Sequence, residues 1–334
     1  MRDRVAAIDC GTNAFRLLVA EPGPIGGLVE LTRELEIVRL GQGVDATGAL
    51  HPDALARTFG AAERAAERLR AYGVTPERTR VVATSAARDA RNVEDFFAGM
   101  ASRLGVRPEV ISGSEEARLS FVGALSGVPV PADRSVLVMD IGGGSTEVVL
   151  GDPGGDIVHA VSLDIGSVRL TERFALIGPV APPARAAATA YVDGLLDALD
   201  WSLGGVGTWI GVAGTVTTVS ALVQQLPAYD RARVHGSTVT TKELADLLER
   251  LAASTAEQIR GLGAMEPGRA DVITAGTLIA DRVARRVDRQ LLVSESDILD
   301  GVALQLLGHL TDSAGDTSPA ESARGSRSPG RMPG

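Results

Sequence analysis

The chain carries one short design twice. Residues 7–21 read AIDCGTNAFRLLVAE and residues 138–152 read VMDIGGGSTEVVLGD. Each is an apolar strand, an Asp, one variable residue, a Gly, a polar turn and a second apolar strand. A weaker third copy, SLDIGSVRLTERF, follows at 162–174. A repeated strand–turn–strand unit implies two similar domains facing each other across a cleft. The segments between agree with that. RVVATSAA (80–87) reads as a strand running into a helix start. RSVLVMD (134–140) is a continuous apolar run of the kind buried in parallel sheets. TWIGVAGTVTTVSALV (208–223) is a strand, a glycine turn and a helix, and DIVHAVSLD (156–164) is a further strand. Helical spacing marks 52–72, a stretch from about Glu115, and 241–252, 269–287 and 298–310. Strands alternating with helices give an α/β fold.

Glycines at a strand end let a polyanion approach the backbone and leave N–H groups free to donate. Ser145 and Thr146 add hydroxyls. A Walker loop is excluded, because it needs a lysine after its glycines and the single lysine of the chain is Lys242. A dinucleotide fingerprint opens a helix. Here Thr-Glu-Val-Val-Leu follows, a β-branched alternating run, so the loop joins two strands as a hairpin. Asp140 and Glu147 then flank the bound phosphate, where their oxygens suit a hydrated Mg²⁺ (or Mn²⁺). Asp9-Cys10-Gly11-Thr12-Asn13 repeats the arrangement in the first half.

Composition narrows the class. The 334 residues carry a net charge of −9, which argues against wholesale binding of nucleic acid or anionic membranes. One cysteine, Cys10, permits no internal disulfide. No signal peptide and no membrane-length apolar run is evident, so a cytoplasmic protein is expected. The four histidines lack ligand spacing, so no zinc site is expected. The stretch after about Leu310 is rich in Ser, Gly and Pro and reads as a disordered tail, 311–334.

Two phosphate hairpins followed by GVAGTVTTV (211–219) are similar to the pattern of the actin, heat-shock chaperone and sugar kinase superfamily. Within it, DCGTNAFRLLV, ATSAARDARN, ISGSEEARLSF, DIGGGSTEVV, GVAGTVTTV, RADVITAGTLI and VSESDILDG together resemble the exopolyphosphatase and guanosine pentaphosphate phosphohydrolase family. The resemblance covers about residues 4 to 310. Cys10 departs from the apolar residue usual there, and longer members carry an additional helical domain.

The resemblance implies two actin-like, ribonuclease H-like domains with a cleft between them. Domain I spans 1–128 and domain II 133–310, with helix 298–310 returning to pack on domain I. It implies hydrolysis of the terminal phosphoanhydride of inorganic polyphosphate or of guanosine pentaphosphate; the short, two-domain chain alone points to short-chain polyphosphate. A sensor that binds such ligands without turnover is the alternative. The second of two adjacent glutamates, Glu116, is implied as the base that activates water; Glu115 remains open. Gly11, Thr12, Asn13, Arg16, Arg88, Gly142, Gly143, Gly144, Ser145 and Thr146 are the implied substrate contacts, and Asp140 and Glu147 the metal ligands. Asp9 either binds metal through water or braces its turn. Arg91 pairs with Asp95 or serves the site, and 213–215 makes a tight turn or a weak subsite. The arginines between 260 and 289 form a solvated face or a basic track. A homodimer is implied as well.

Overall fold

A computed structural model describes residues 3–23, 26–132 and 134–315, with side chains to 308. Its first half is built on β1 (Val5–Cys10), β2 (Ala14–Pro22), β3 (Leu28–Ile37), β4 (Thr79–Ala83) and β5 (Glu109–Val110). They form one sheet in the order β3-β2-β1-β4-β5. Around it stand α1 (Val44–Thr47), α2 (Pro52–Tyr72), α3 (Ser85–Arg88), α4 (Val93–Leu104) and α5 (Gly113–Gly127). The second half repeats the plan with β6 (Val136–Ile141), β7 (Thr146–Gly151), β8 (Ile157–Leu163), β9 (Thr208–Val212), β10 (Thr238–Val239) and β11 (Leu291–Val293), ordered β10-β11-β9-β6-β7-β8. Its helices are α6 (Ser167–Phe174), α7 (Pro182–Asp197), α8 (Ala213–Val223), α9 (Arg231–Val234), α10 (Thr241–Ala253), α11 (Ala256–Arg260), α12 (Ile273–Ala284) and α13 (Ile298–Gly315). In each half a hairpin pair, β1–β2 or β6–β7, leads into a parallel neighbour, β4 or β9.

Sequence periodicity misses β3, β10, β11, α1, α4, α6, α7, α9 and α11, which are short or lack a clean apolar period. α12 is shorter than 269–287. α13 runs to Gly315, five residues into the stretch expected to be a tail; the rest of that stretch, 316–334, lies outside the described residues.

Two helices each pack against the sheet of the other half. α5 turns Ala117, Phe121 and Ala124 onto Val136, Val138 and Val149 of the second sheet. α13 turns Leu299, Val302 and Ala303 onto Val5, Ala7 and Leu18 of the first. The helix from the C-terminal half thus packs on the N-terminal sheet. The two helices touch backbone to backbone. A Cβ on Gly123 would lie 1.8 Å from the Asp297 carbonyl oxygen, and one on Gly301 2.0 Å from that of Leu119. Phe121 is fully buried at this junction, and its truncation to Ala would cost about 3–5 kcal/mol. The crossing fixes the middle of α5 against the start of α13, close to Glu116 and Ile298 of the site. Among the described residues no helix is long and apolar enough to cross a membrane.

Candidate active site

Both hairpin turns are closed by the same bond. Gly11 N–H donates to the Ala14 carbonyl at 3.0 Å, and Gly142 N–H to that of Ser145 at 3.0 Å. Register places Asp9 opposite Arg16 in one hairpin and Asp140 opposite Glu147 in the other. The turns meet. A Cβ on Gly143 would lie 3.0 Å from Thr12 Cβ, and one on Gly144 2.4 Å from Ser85 Oγ. Gly142, Gly143 and Gly144 all have φ outside the left-handed region. These glycines therefore serve close approach rather than an unusual backbone conformation.

Each turn has its carbonyls occupied from behind. Gly41 N–H reaches the Thr12 carbonyl at 2.8 Å, and Val38 N–H that of Asn13 at 3.0 Å. In the second half the first turn of α6 does the same: Ser167 N–H reaches the Gly142 carbonyl at 2.9 Å and Val168 N–H that of Gly143 at 2.8 Å. A trans peptide points its C=O and N–H in opposite directions. The N–H groups of Gly143 and Gly144 therefore point away from α6. Among the described residues, the N–H groups of Thr12, Asn13, Gly143, Gly144 and Ser145 donate to no protein acceptor. They line a cleft of about 80 Å³, a concavity of unspent donors suited to an anion.

Carboxylates and arginines form the cleft walls. Arg16 donates to Asp9 Oδ2 through Nε at 2.9 Å and Nη2 at 2.6 Å, and its Nη1 reaches Asp297. Arg88 Nη1 donates to Glu116 Oε2 at 2.7 Å and to the Ile111 carbonyl at 3.0 Å. Burial raises the Glu116 carboxyl to about 7; Arg88 opposes this, and Asp140 and Asp9 reinforce it. Burial likewise lifts Asp140 to about 6, against the charge of Arg16 and a 2.6 Å bond from Ser120 Oγ. Glu147 is pushed well above the carboxylate range by burial, then by Glu116 and Asp140. Asp9 is raised too, chiefly by burial. Asp9 Oδ1 and Glu147 Oε2 are buried with no hydrogen-bond partner. An ionised carboxylate in such a place is costly unless a cation or proton joins it.

Comparison with known proteins decides what kind of site this is. The Ppx/GppA phosphatase family model matches residues 19–309. The chain belongs to the Ppx/GppA phosphatase family. It is 46% identical over 324 residues to Exopolyphosphatase 2 of Mycobacterium tuberculosis, covering 91% of this chain and 99% of that protein. The crystal structure of an exopolyphosphatase-like protein is 37% identical with TM-score 0.85, covering 92% of this chain and 99% of that one. The Ppx/GppA family member of Aquifex aeolicus is 29% identical with TM-score 0.75, covering 92% and 98%. The fold is the actin-like ATPase fold, and the protein is a phosphoanhydride hydrolase.

Ten of the sequence-expected site residues line the cleft of this Ppx/GppA phosphatase: Gly11, Thr12, Asn13, Arg16, Glu116, Asp140, Gly142, Gly143, Gly144 and Ser145. Three do not. Thr146 is fully buried and its hydroxyl donates to the Ile165 carbonyl at 2.6 Å, so it braces the turn. Arg88 pairs with Glu116 and is not among the residues that line the cleft. Glu147 sits behind Asp140, held by Ser162 Oγ at 2.7 Å. The helix start separates the paired glutamates. Ser112 Oγ caps α5 by accepting from Glu115 N–H, and successive helical residues diverge by about 100°. Glu115 thus turns outward to Arg118 at 3.0 Å, which lowers its pKa, while Glu116 turns inward and stays 8% exposed. Arg91 donates to the Thr47 carbonyl at 2.6 Å instead of pairing with Asp95.

Residues outside the expected set also line the Ppx/GppA cleft. Ala213, Gly214 and Thr215 belong to its wall, so the 211–219 motif is at the site. Arg269, from RADVITAG, lies in that wall and donates to the Gly214 carbonyl and Thr218 Oγ1, both at 2.9 Å. It forms no ion pair among the described residues, whereas Arg282, Arg285 and Arg286 are tied to Asp193, Asp197 and Asp281. Helical spacing gave no means of separating Arg269 from those surface arginines. A larger cavity of about 640 Å³ adjoins the cleft through Arg16 and Arg269.

Among the described residues no group of three or more His, Cys, Asp and Glu side chains could hold a metal ion by itself. Mg²⁺ does not ask for one, since it commonly takes one or two carboxylates, water and substrate phosphates. The all-oxygen donor set and the orphaned oxygens of Asp9 and Glu147 fit such an ion.

Proposed function

We propose that the protein removes the terminal phosphate of inorganic polyphosphate, releasing orthophosphate, as the name of its mycobacterial relative suggests. The observation that carries this reading is the placement of Glu116, at a pKa of about 7, in the same narrow wall as two turns of unspent N–H groups. The turns receive the terminal phosphoryl group, with Arg269 adding positive charge from the opposite motif. Near neutral pH a large share of Glu116 is ionised and able to take a proton. Water attacks the terminal phosphorus: the new P–O bond forms as the bridging P–O bond breaks, and the proton passes to Glu116. The shortened chain leaves with the bridging oxygen. Negative charge grows on the equatorial oxygens, where fixed N–H dipoles act without reorganising. A bound Mg²⁺, held by Asp140 and Glu147 with Asp9 through water, would neutralise phosphate charge.

The test is orthophosphate release with Mg²⁺ from short polyphosphate, long polyphosphate, guanosine pentaphosphate and ATP in parallel, with Glu116→Gln as control. The expected result is release from polyphosphate, fastest with short chains. It falls by about 10²–10⁴-fold in the variant and is abolished by excess chelator. Release from guanosine pentaphosphate alone would replace polyphosphate as the substrate. Turnover in chelator would remove the metal role of Asp140 and Glu147.

A further inference from the structure

The third copy of the repeated pattern carries an arginine that joins separate stretches of chain. Arg169, on α6, donates through Nε to the Gly144 carbonyl at 2.8 Å. Its Nη2 donates at 3.0 Å to Ser85 Oγ, the hydroxyl against which Gly144 is packed. Its Nη1 pairs with Asp45 at 2.6 Å, and its Nη2 also with Asp89. Only 14% of the side chain is exposed. Three nitrogens of one planar fork thus hold the second hairpin turn to the N-terminal half, a geometry that a lysine's point charge does not reproduce.

The Gly144 carbonyl differs from its neighbours. Gly142 and Gly143 are held by backbone N–H groups of α6, while Gly144 accepts from a side chain, Arg169 alone among the described residues. The peptide that carries this carbonyl also carries the Ser145 N–H, on its opposite side. The aim of that donor therefore depends on Arg169.

We propose that Arg169 is a positioning residue: it aims the Ser145 N–H into the cleft, and it does so while anchored to Asp45 and Asp89, so that ordering of the turn and closure of the two halves are one event. This rests on the reading of Gly142–Ser145 as a phosphate cradle. Glu172 supports the same junction by accepting from Gly43 N–H at 3.3 Å, and Arg173 by pairing with Asp45 at 2.9 Å.

The test compares the full chain with Arg169→Gln, Arg169→Lys and the double variant Asp45→Asn/Asp89→Asn. Readouts are kcat and KM for orthophosphate release from polyphosphate, thermal midpoint, and amide hydrogen exchange over residues 142–147 without substrate. Losing a directly aimed donor lowers kcat by about 10²–10³-fold, so an indirectly aimed one is expected to cost about tenfold to a hundredfold. Arg169→Gln should show that loss together with faster exchange in 142–147. Arg169→Lys should not restore kcat. The double variant should show faster exchange and a smaller loss. Parental kcat, KM and exchange in folded Arg169→Gln would overturn the proposal, as would full activity in Arg169→Lys. Parental values in the double variant would overturn the coupling to closure. If Arg169→Gln does not fold, the other two variants decide. If the parent itself releases no orthophosphate, the functional reading fails, while exchange over 142–147 still tests what Arg169 does to the turn.

Discussion

Arg88→Gln removes the cation that touches Glu116 and should move the pH profile rather than the affinity. The bond is 2.7 Å long between side chains 22% and 10% exposed. A charge-assisted hydrogen bond of this kind is worth about 1.5–3 kcal/mol, and 1.36 kcal/mol corresponds to one pKa unit. In the parent, burial lifts Glu116 to about 7 against the pull of Arg88. Without that pull the carboxyl should rise by roughly one to two units. The base must be ionised, so the rise of activity moves to higher pH. At pH 7 half of Glu116 is ionised in the parent and about 1–10% in the variant, a loss of about 5-fold to 50-fold that fades towards pH 9.5. The assay is kcat/KM for orthophosphate release from pH 5.5 to 9.5. Because Arg88 does not line the cleft, KM should stay within a few-fold. A raised KM at every pH, with an unmoved acid limb, would refute the reasoning and restore Arg88 as a phosphate clamp.

Glu147→Gln should abolish activity while raising thermal stability at pH 8 more than at pH 4. The native pKa of Glu147 lies well above its ordinary 4.5, so stability is present below 4.5 and lost as pH rises toward the native value. Thermal unfolding without divalent ions checks this, and equal gains at both pH values would count against it. Gly144→Ala places a Cβ 2.4 Å from Ser85 Oγ and 2.7 Å from Thr12 Oγ1, so it should cost about 1–3 kcal/mol of stability and most activity. Adding Ser85→Ala should return part of the activity, measured as kcat in the double variant. Arg269→Ala should raise KM for polyphosphate by about tenfold or more and flatten the salt dependence of KM, since it deletes a cleft cation that forms no direct ion pair among the described residues.

Several parts of this site were legible because they are local. β1–β2 and β6–β7 follow from alternating apolar residues around a polar turn, and that same pattern sets Asp140 opposite Glu147. Other parts were not. Thr146 and Ser145 are neighbours of similar chemistry, yet one hydroxyl is spent on Ile165 and the other residue lines the cleft. Arg88 lies just past β4, and only the tertiary fold brings it the Glu116 carboxylate of α5. Arg269 is indistinguishable in sequence from Arg282 and Arg286 until their acidic partners on α7 are in place.

The sequence by itself determined the repeated hairpins, the acidic residues beside their turns and the alternation of strand and helix, since these rest on contacts between residues a few positions apart. It did not determine which groups are buried together or which charges are paired. Arg16 meets Asp297 across 281 positions, Arg33 meets Asp300 across 267, and Arg169 meets Asp89 across 80. Such pairs, and the raised carboxyls of Glu116, Asp140 and Glu147, exist only after α5 and α13 have crossed and excluded water. Desolvation and charge pairing depend on who is near in space, and that was the work of the tertiary structure.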